Sequence, residues 1–232
     1  MDAIVYHSLS EYALMVSFGN TISLKLHRKV IHHQQLLEKF PFKGLLETVP
    51  AYNSLTIYFK PEAVDSNGQS PSANVKQYVE QLFSKHSGDE IYIAGSLVEI
   101  PVCYDPSLAK DLAAVSEQLR LSIDDIIGLH TGRKYKVYMT GFTPGFPYMG
   151  ILHDALVLKR KEKPDLKVHP GSVAIAGNQT GIYPLDTPGG WHIIGRTPLH
   201  VFDPEKENPF LLKTGDEVIF KPITREAFET FS

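Results

Sequence analysis

Residues 170–198 read PGSVAIAGNQTGIYPLDTPGGWHIIGRTP. Short apolar runs alternate here with Gly, Pro and Asn, the residues that close strands and make turns. Residues 172–176 and 192–194 have strand composition, with glycine-bearing turns between them. From residue 141 to residue 198 the chain holds nine Gly and seven Pro. Such density can signal disorder, but Ile175, Ile182, Tyr183, Trp191, Ile193 and Ile194 supply apolar area that a packed core would bury. The segment reads as short strands and shaped loops on a rigid scaffold, the setting in which sites tend to be found.

Working outward, residues 97–103, 135–140, 199–202 and 217–220 are further strand-like runs. Many short strands with frequent turn residues predict a closed or nearly closed β-barrel. One helix is expected over 111–120, where Leu112, Val115 and Leu119 recur on one side. A second begins at Ser122-Ile123-Asp124-Asp125, with acidic residues where a helix N-terminus favours them. Residues 141–150, GFTPGFPYMG, carry no charge. Pro144 and Pro147 fix φ at two points, while Gly141, Gly145 and Gly150 relieve steric limits at three. A stiff loop is predicted, holding Phe142, Phe146 and Tyr148 on a surface that loses little entropy on binding.

The first third of the chain has a different rhythm. A strand over 12–18 ends at Gly19-Asn20, a helical period runs from 23 to 40, and Pro41 closes it. Residues 45–49 and 54–59 suggest a hairpin, and residues 74–85 an amphipathic helix. An order close to β-β-α-β-β-α implies a small sheet with helices on one face. HSGDE (86–90) is the expected boundary. The reading is therefore α+β to mainly β: an N-terminal α/β sandwich domain over 1–88 and a β-barrel domain over 89–232.

Bulk properties narrow the function. The 232 residues carry a net charge of −3 and a sequence pI near 6.4, which gives no electrostatic footprint for nucleic acid. Lys159-Arg160-Lys161 is interrupted by Glu162 and reads as a solvated loop. Cys103 is the only cysteine, so no intrachain disulfide forms and a cytoplasmic location is expected. Its strand context marks it as a small buried hydrophobe. No apolar run approaches the roughly 18 residues of a membrane span, and the N-terminus lacks the basic region of a signal peptide. There is no G-x-x-x-x-G-K-[ST], no G-x-G-x-x-G and no G-x-S-x-G. The ten histidines fall in no metal-ligand spacing, so no metal is predicted.

Three strings, GFTPGFPYMG (141–150), the quoted 170–198 segment and LHTG (129–132), resemble the KipI/PxpB family, the allophanate hydrolase subunit 1 type also found in the carboxyltransferase region of urea carboxylase. The resemblance implies a cyclophilin-like C-terminal barrel and a KipA/PxpC-type partner. With that partner and a PxpA-type third subunit, it implies an ATP-dependent 5-oxoprolinase that opens 5-oxoproline to L-glutamate. An alternative implied role is inhibition of a sporulation histidine kinase by blocking its autophosphorylation. Prolyl isomerisation follows only from fold analogy and carries no independent sign. The resemblance implies ATP as the cofactor; with no phosphate cradle in the sequence, it is expected to bind either through an unfamiliar site or across the interface between subunits.

Opening a lactam requires groups that polarise a resonance-stabilised carbonyl and stabilise charge on its oxygen. His130 and His192 titrate near neutral pH when unperturbed, and Arg196 can pair with a carboxylate or phosphate. These three are the candidate catalytic residues. Tyr148, Gln179 and Tyr183 are expected to orient a small polar substrate. Phe142, Phe146 and Trp191 are the expected partner interface. Asp186 reads equally well as a general base or as a turn-former before Thr187-Pro188.

Overall fold

The computed structural model describes residues 4–65, 68–86 and 95–231. The chain divides into two units, Met1–Ile93 and Ala94–Ser232. The boundary expected at 86–90 lies, beyond His86, outside the described residues.

The first unit runs β1 (Val5–Ser10), β2 (Ala13–Ser17), α1 (Leu24–Lys39), β3 (Leu45–Pro50), β4 (Ser54–Phe59) and α2 (Pro71–Lys85). Its sheet has the order β1-β2-β4-β3, antiparallel throughout. Strand alternation turns Leu14, Val16, Leu55, Ile57 and Phe59 to one face, where Val30 and Leu37 of α1 and Val75 and Val79 of α2 meet them. Ser23 caps α1 by accepting from the Leu26 amide, and Ser70 caps α2 from Ala73, with Pro71 at the first helical position. Strand β1 supplies the second strand that the β-β-α-β-β-α order requires before α1, at residues to which the sequence reading assigns no strand. Val5 and Leu9 are exposed on it, so it carries little of the alternation that betrays a half-buried strand.

In the second unit come β5 (Leu97–Cys103), α3 (Leu112–Leu119), α4 (Ile123–Thr131), β6 (Tyr135–Thr140), β7 (Pro147–Gly150), β8 (Asp165–Val168), β9 (Ser172–Ala176), β10 (Gln179–Ile182), β11 (Thr187–Gly189), β12 (His192–Arg196), β13 (Glu217–Ile223) and α5 (Arg225–Glu229). Seven of these strands close a barrel in the order β10-β7-β6-β13-β5-β12-β9, and β8 and β11 form a separate ribbon. The β5–β13 pair is parallel and the other barrel pairs are antiparallel. Ile100, Val102, Val137, Met149, Val173, Ile175, Ile182, Ile194, Val218 and Phe220 fill the core with Leu112, Val115 and Ile126 of the two helices. Ser122 and Asp125 make a reciprocal capping box at the start of α4. Cys103 is buried.

Two sequence expectations are corrected. Residues 199–202 form no strand: Leu199 turns back to the Thr197 hydroxyl, and only Phe202 bridges, to Phe210. Residues 141–150 are a loop only in their first half. Pro147–Gly150 is β7, paired with both β6 and β10. Proline at the first residue of a strand forfeits no necessary ladder bond, so its presence does not bar the strand. Among the described residues no helix is long and apolar enough to cross a membrane.

Candidate functional site

Strand alternation on β9 sends Val173 and Ile175 into the barrel and Ala174 and Ala176 outward. Ala174 and Ala176 of β9 and Gly181 of β10, with Ile193 of β12, thus floor the outer face, and aromatic rings cover it. Phe146 packs edge-to-face on Tyr148, Tyr183 and Trp191 at centroid distances of 4.8, 5.1 and 5.5 Å, geometry that favours the ring quadrupoles. Gly181 makes room for this cluster: a Cβ there would lie 2.7 Å from Cζ of Phe146. Val168 of the β8–β11 ribbon closes one side.

The loop leading into β7 is built from two turns. Phe146 N–H donates to the Thr143 carbonyl around Pro144-Gly145, with Gly145 at φ +82°, the signature of a type II turn. Before it, Thr143 N–H donates to Gly141 across Phe142, whose φ is +67°. That is the positive-φ form of the γ-turn, rare and strained for a residue with a side chain. Phe142 is 64% exposed. A strained backbone holds a large apolar ring in solvent, with its edge on Phe146 at 5.9 Å.

The three residues expected at the partner interface differ in exposure. Phe146 and Trp191 are almost wholly buried within their own chain, because the outer face of the sheet needs their area as cover. Phe142 alone of the three offers its ring outward. Tyr148 and Gln179 are half-buried on the same face, and Tyr183 is buried. Burial raises the Tyr148 and Tyr183 phenols above their usual values. Arg160 works against this at both, and at Tyr183 a backbone hydrogen bond at Trp191 opposes it first.

A charged rim adjoins the rings. Lys161 lies 2.6 Å from Asp111 and 2.7 Å from Asp165, and Lys110 lies 2.7 Å from Asp165. Burial pushes the Asp165 carboxyl up, but the two lysines outweigh it and hold it below its ordinary value. Asp111 also accepts from Ile193 N–H at 2.7 Å, tying the rim to β12. The Arg160 guanidinium carbon sits 5.7 Å from the Trp191 ring centroid. Sequence alone makes Arg160 and Lys161 part of a solvated loop. Nothing in the spacing KRKEK announces that its middle residues meet Asp111 and Trp191.

The three residues expected to be catalytic are dispersed. Arg196 is partly buried and its Nε donates to the Pro170 carbonyl at 2.9 Å. His192 donates from Nε2 to the Lys159 carbonyl at 2.9 Å, on the same rim as Arg160. His130 lies elsewhere, with no exposed surface inside the barrel, stacked on Phe220 at 4.5 Å. Its ring nitrogens meet the Tyr104 hydroxyl at 2.8 Å and the Thr180 hydroxyl at 3.0 Å. Burial lowers its pKa to about 3, so it is neutral at physiological pH and out of reach of a surface substrate. The Gly171 and Gly177 amides are committed within the chain, donating to the Tyr183 and Leu158 carbonyls. Asp186 pairs with Lys167 and His169 in the open, and Lys167 chiefly holds its carboxyl below the usual value. Among the described residues no cluster of three or more His, Cys, Asp or Glu is disposed to hold a metal.

A seven-stranded closed barrel with an aromatic-covered outer face, together with a ββαββα unit, defines a carboxyltransferase-type architecture. Residues 4–212 match the family described as carboxyltransferase domain, subdomain C and D, and the chain belongs to that family. It is 37% identical over 227 residues to the B subunit of 5-oxoprolinase from Bacillus subtilis, covering 96% of this chain and 94% of that one. To the B subunit of 5-oxoprolinase from Escherichia coli O157:H7 it is 34% identical over 214 residues, covering 92% and 94%. The membership that the sequence strings imply is therefore shown. The crystal structure of TTHA0988 superposes with a TM-score of 0.78 at 37% identity, over 91% of this chain and 40% of that longer chain.

Proposed function

We propose that this chain is one subunit of an ATP-dependent 5-oxoprolinase, opening 5-oxoproline to L-glutamate together with a KipA/PxpC-type partner and a PxpA-type subunit. The observation that carries this reading is near full-length similarity to relatives named as the B subunit of 5-oxoprolinase. That this chain matches only 40% of TTHA0988 is in keeping with a fold that works with further domains.

The site in this reading is the aromatic face and its charged rim. Tyr148 and Gln179, half-buried on this face, flank the lactam, Tyr183 and Trp191 support them from beneath, and Arg196 keeps guanidinium N–H donors beyond the Nε bond to Pro170. Phe142 meets the partner subunit, which closes the site and excludes water. ATP binds across that interface, since this chain has no phosphate-cradling loop and its Gly171 and Gly177 amides are already engaged. His130 serves from within, holding Thr180 and so the strand that carries Gln179 and Gly181.

Reconstitution tests it. Purified with its partner subunits, the chain releases glutamate from 5-oxoproline in the presence of ATP, and omission of this chain abolishes release. Absence of release from the complete set, with correctly folded components, refutes the reading.

A further inference from the structure

The rim beside Trp191 contains three cations, Lys110, Lys161 and Arg160, against two carboxylates, Asp111 and Asp165. Both carboxylates are taken by the lysines, at 2.6 and 2.7 Å. Arg160 is exposed and makes no ion pair with a carboxylate among the described residues, so its guanidinium charge is not offset by a contacting carboxylate. The residues on either side of it are fastened to β12 and the turn before it. Lys159 accepts from the His192 ring at 2.9 Å, and Lys161 N–H donates to the Gly190 carbonyl at 2.8 Å. The indole of Trp191 restrains the guanidinium without consuming its N–H donors. A loop clamped on both sides, carrying a planar fork against the Trp191 indole, is preorganised for a planar anion.

We infer that Arg160 is the anchor for the carboxylate of the small-molecule substrate, with His192 as a positioning residue that holds the Arg160 loop; this rests on the 5-oxoprolinase reading. A carboxylate fits better than a phosphate. A single guanidinium fork matches one planar carboxylate, whereas a triphosphate calls for several converging cations or a nest of free amides. The neighbouring ring with surface to offer is the half-buried Tyr148, 5.8 Å from the Trp191 ring.

The experiment is steady-state kinetics of the reconstituted complex with Arg160→Met, Arg160→Lys and His192→Asn. For Arg160→Met the expected result is a rise of tenfold to a hundredfold in KM for 5-oxoproline, a smaller change in kcat and an unchanged KM for ATP. Arg160→Lys keeps the charge but loses the fork, and falls between. His192→Asn raises the same KM by a few-fold with kcat preserved. Inhibition by 2-pyrrolidinone, the lactam without a carboxylate, is equal in wild type and Arg160→Met. An unchanged KM for 5-oxoproline in Arg160→Met overturns the assignment, as does a rise confined to the KM for ATP, which would give Arg160 to a phosphate. Should Arg160→Met fail to assemble, Arg160→Lys decides: wild-type KM there overturns the assignment. A wild-type complex with no activity removes the functional reading itself, a result distinct from an active complex indifferent to Arg160.

Discussion

Nε2 of His130 lies 3.0 Å from Oγ1 of Thr180, and that hydroxyl lies 3.1 Å from the Ala174 carbonyl. A carbonyl only accepts, so the Thr180 proton goes to Ala174 and the His130 Nε2 must carry the proton it shares with Thr180. Nδ1 is then the acceptor, and Tyr104 donates to it. The chain Tyr104–His130–Thr180–Ala174 thus has one direction and leaves neither ring nitrogen unsatisfied. Thr180→Val keeps the shape and strips the acceptor from a buried N–H. The expected loss is about 1–3 kcal/mol of unfolding free energy, read from urea denaturation of the purified chain. A loss within error would mean that the ring reorients or takes up water.

Acid should unfold the chain through its buried histidines. Burial lowers His130 to about 3 and His33 to about 4 from an ordinary 6.5. His33 is wedged between Phe18 and Phe83 at 4.7 and 4.2 Å. Below about pH 6.5 the unfolded chain takes up protons that the folded chain refuses. Stability is therefore complete above that pH and falls by about 1.4 kcal/mol per pH unit for each histidine, levelling below the folded value. The two residues belong to different units, so each unit carries its own acid sensitivity. Denaturation midpoints measured across about pH 7.5 to 4.5 should slope downward, and the slope should shrink in a His33→Phe, His130→Gln double variant. An unchanged slope in that variant assigns the acid loss to other groups.

Gly181 and Phe146 make a complementary pair in which one side chain occupies the space the other lacks. Gly181→Ala forces a Cβ to within 2.7 Å of the Phe146 ring and 3.0 Å of the Pro147 carbonyl. Overpacking of this kind costs about 1–3 kcal/mol. Because Phe146 also touches Tyr148, Tyr183 and Trp191, the displacement should reach the single tryptophan. The measurement is a thermal melt together with Trp191 emission. A variant with wild-type stability and emission would show that the ring has slack.

How much of this was legible in the sequence depends on which force decided each element. Helices α1 to α4 and strands β5, β6, β9 and β12 follow from period, caps and turn residues, because local chemistry and burial agree there. Strand β7 was hidden because Pro147 and Gly150 outweigh, by local propensity, a segment held by neighbours on both sides. Strand β1 was hidden because its apolar residues stay in solvent. The aromatic face could be listed from sequence, but its direction could not: whether Phe146 covers its own sheet or meets a partner depends on Gly181, far along the chain. The Arg160 rim was missed altogether, since Asp111 and Lys161 are brought together only by barrel closure. The chemistry of His130 is legible from its residue type, and the fold places that chemistry indoors.

Phe142 supplies a prediction with two readouts that move independently. At φ +67° any residue with a Cβ is strained by about 1 kcal/mol relative to glycine, while the exposed ring contributes little to the isolated fold. Phe142→Gly relieves the backbone and removes the ring; Phe142→Ala removes the ring and keeps the strain. In the isolated chain Phe142→Gly should therefore be more stable than Phe142→Ala by about 1 kcal/mol. If this ring meets the KipA/PxpC-type partner, both variants should bind it at least tenfold more weakly, since a large buried aromatic anchor contributes about 2 kcal/mol or more. Calorimetric melts of the chain and titration against the partner separate the two effects. Equal stability of the two variants would remove the strain argument, and undiminished affinity in both would remove Phe142 from the interface.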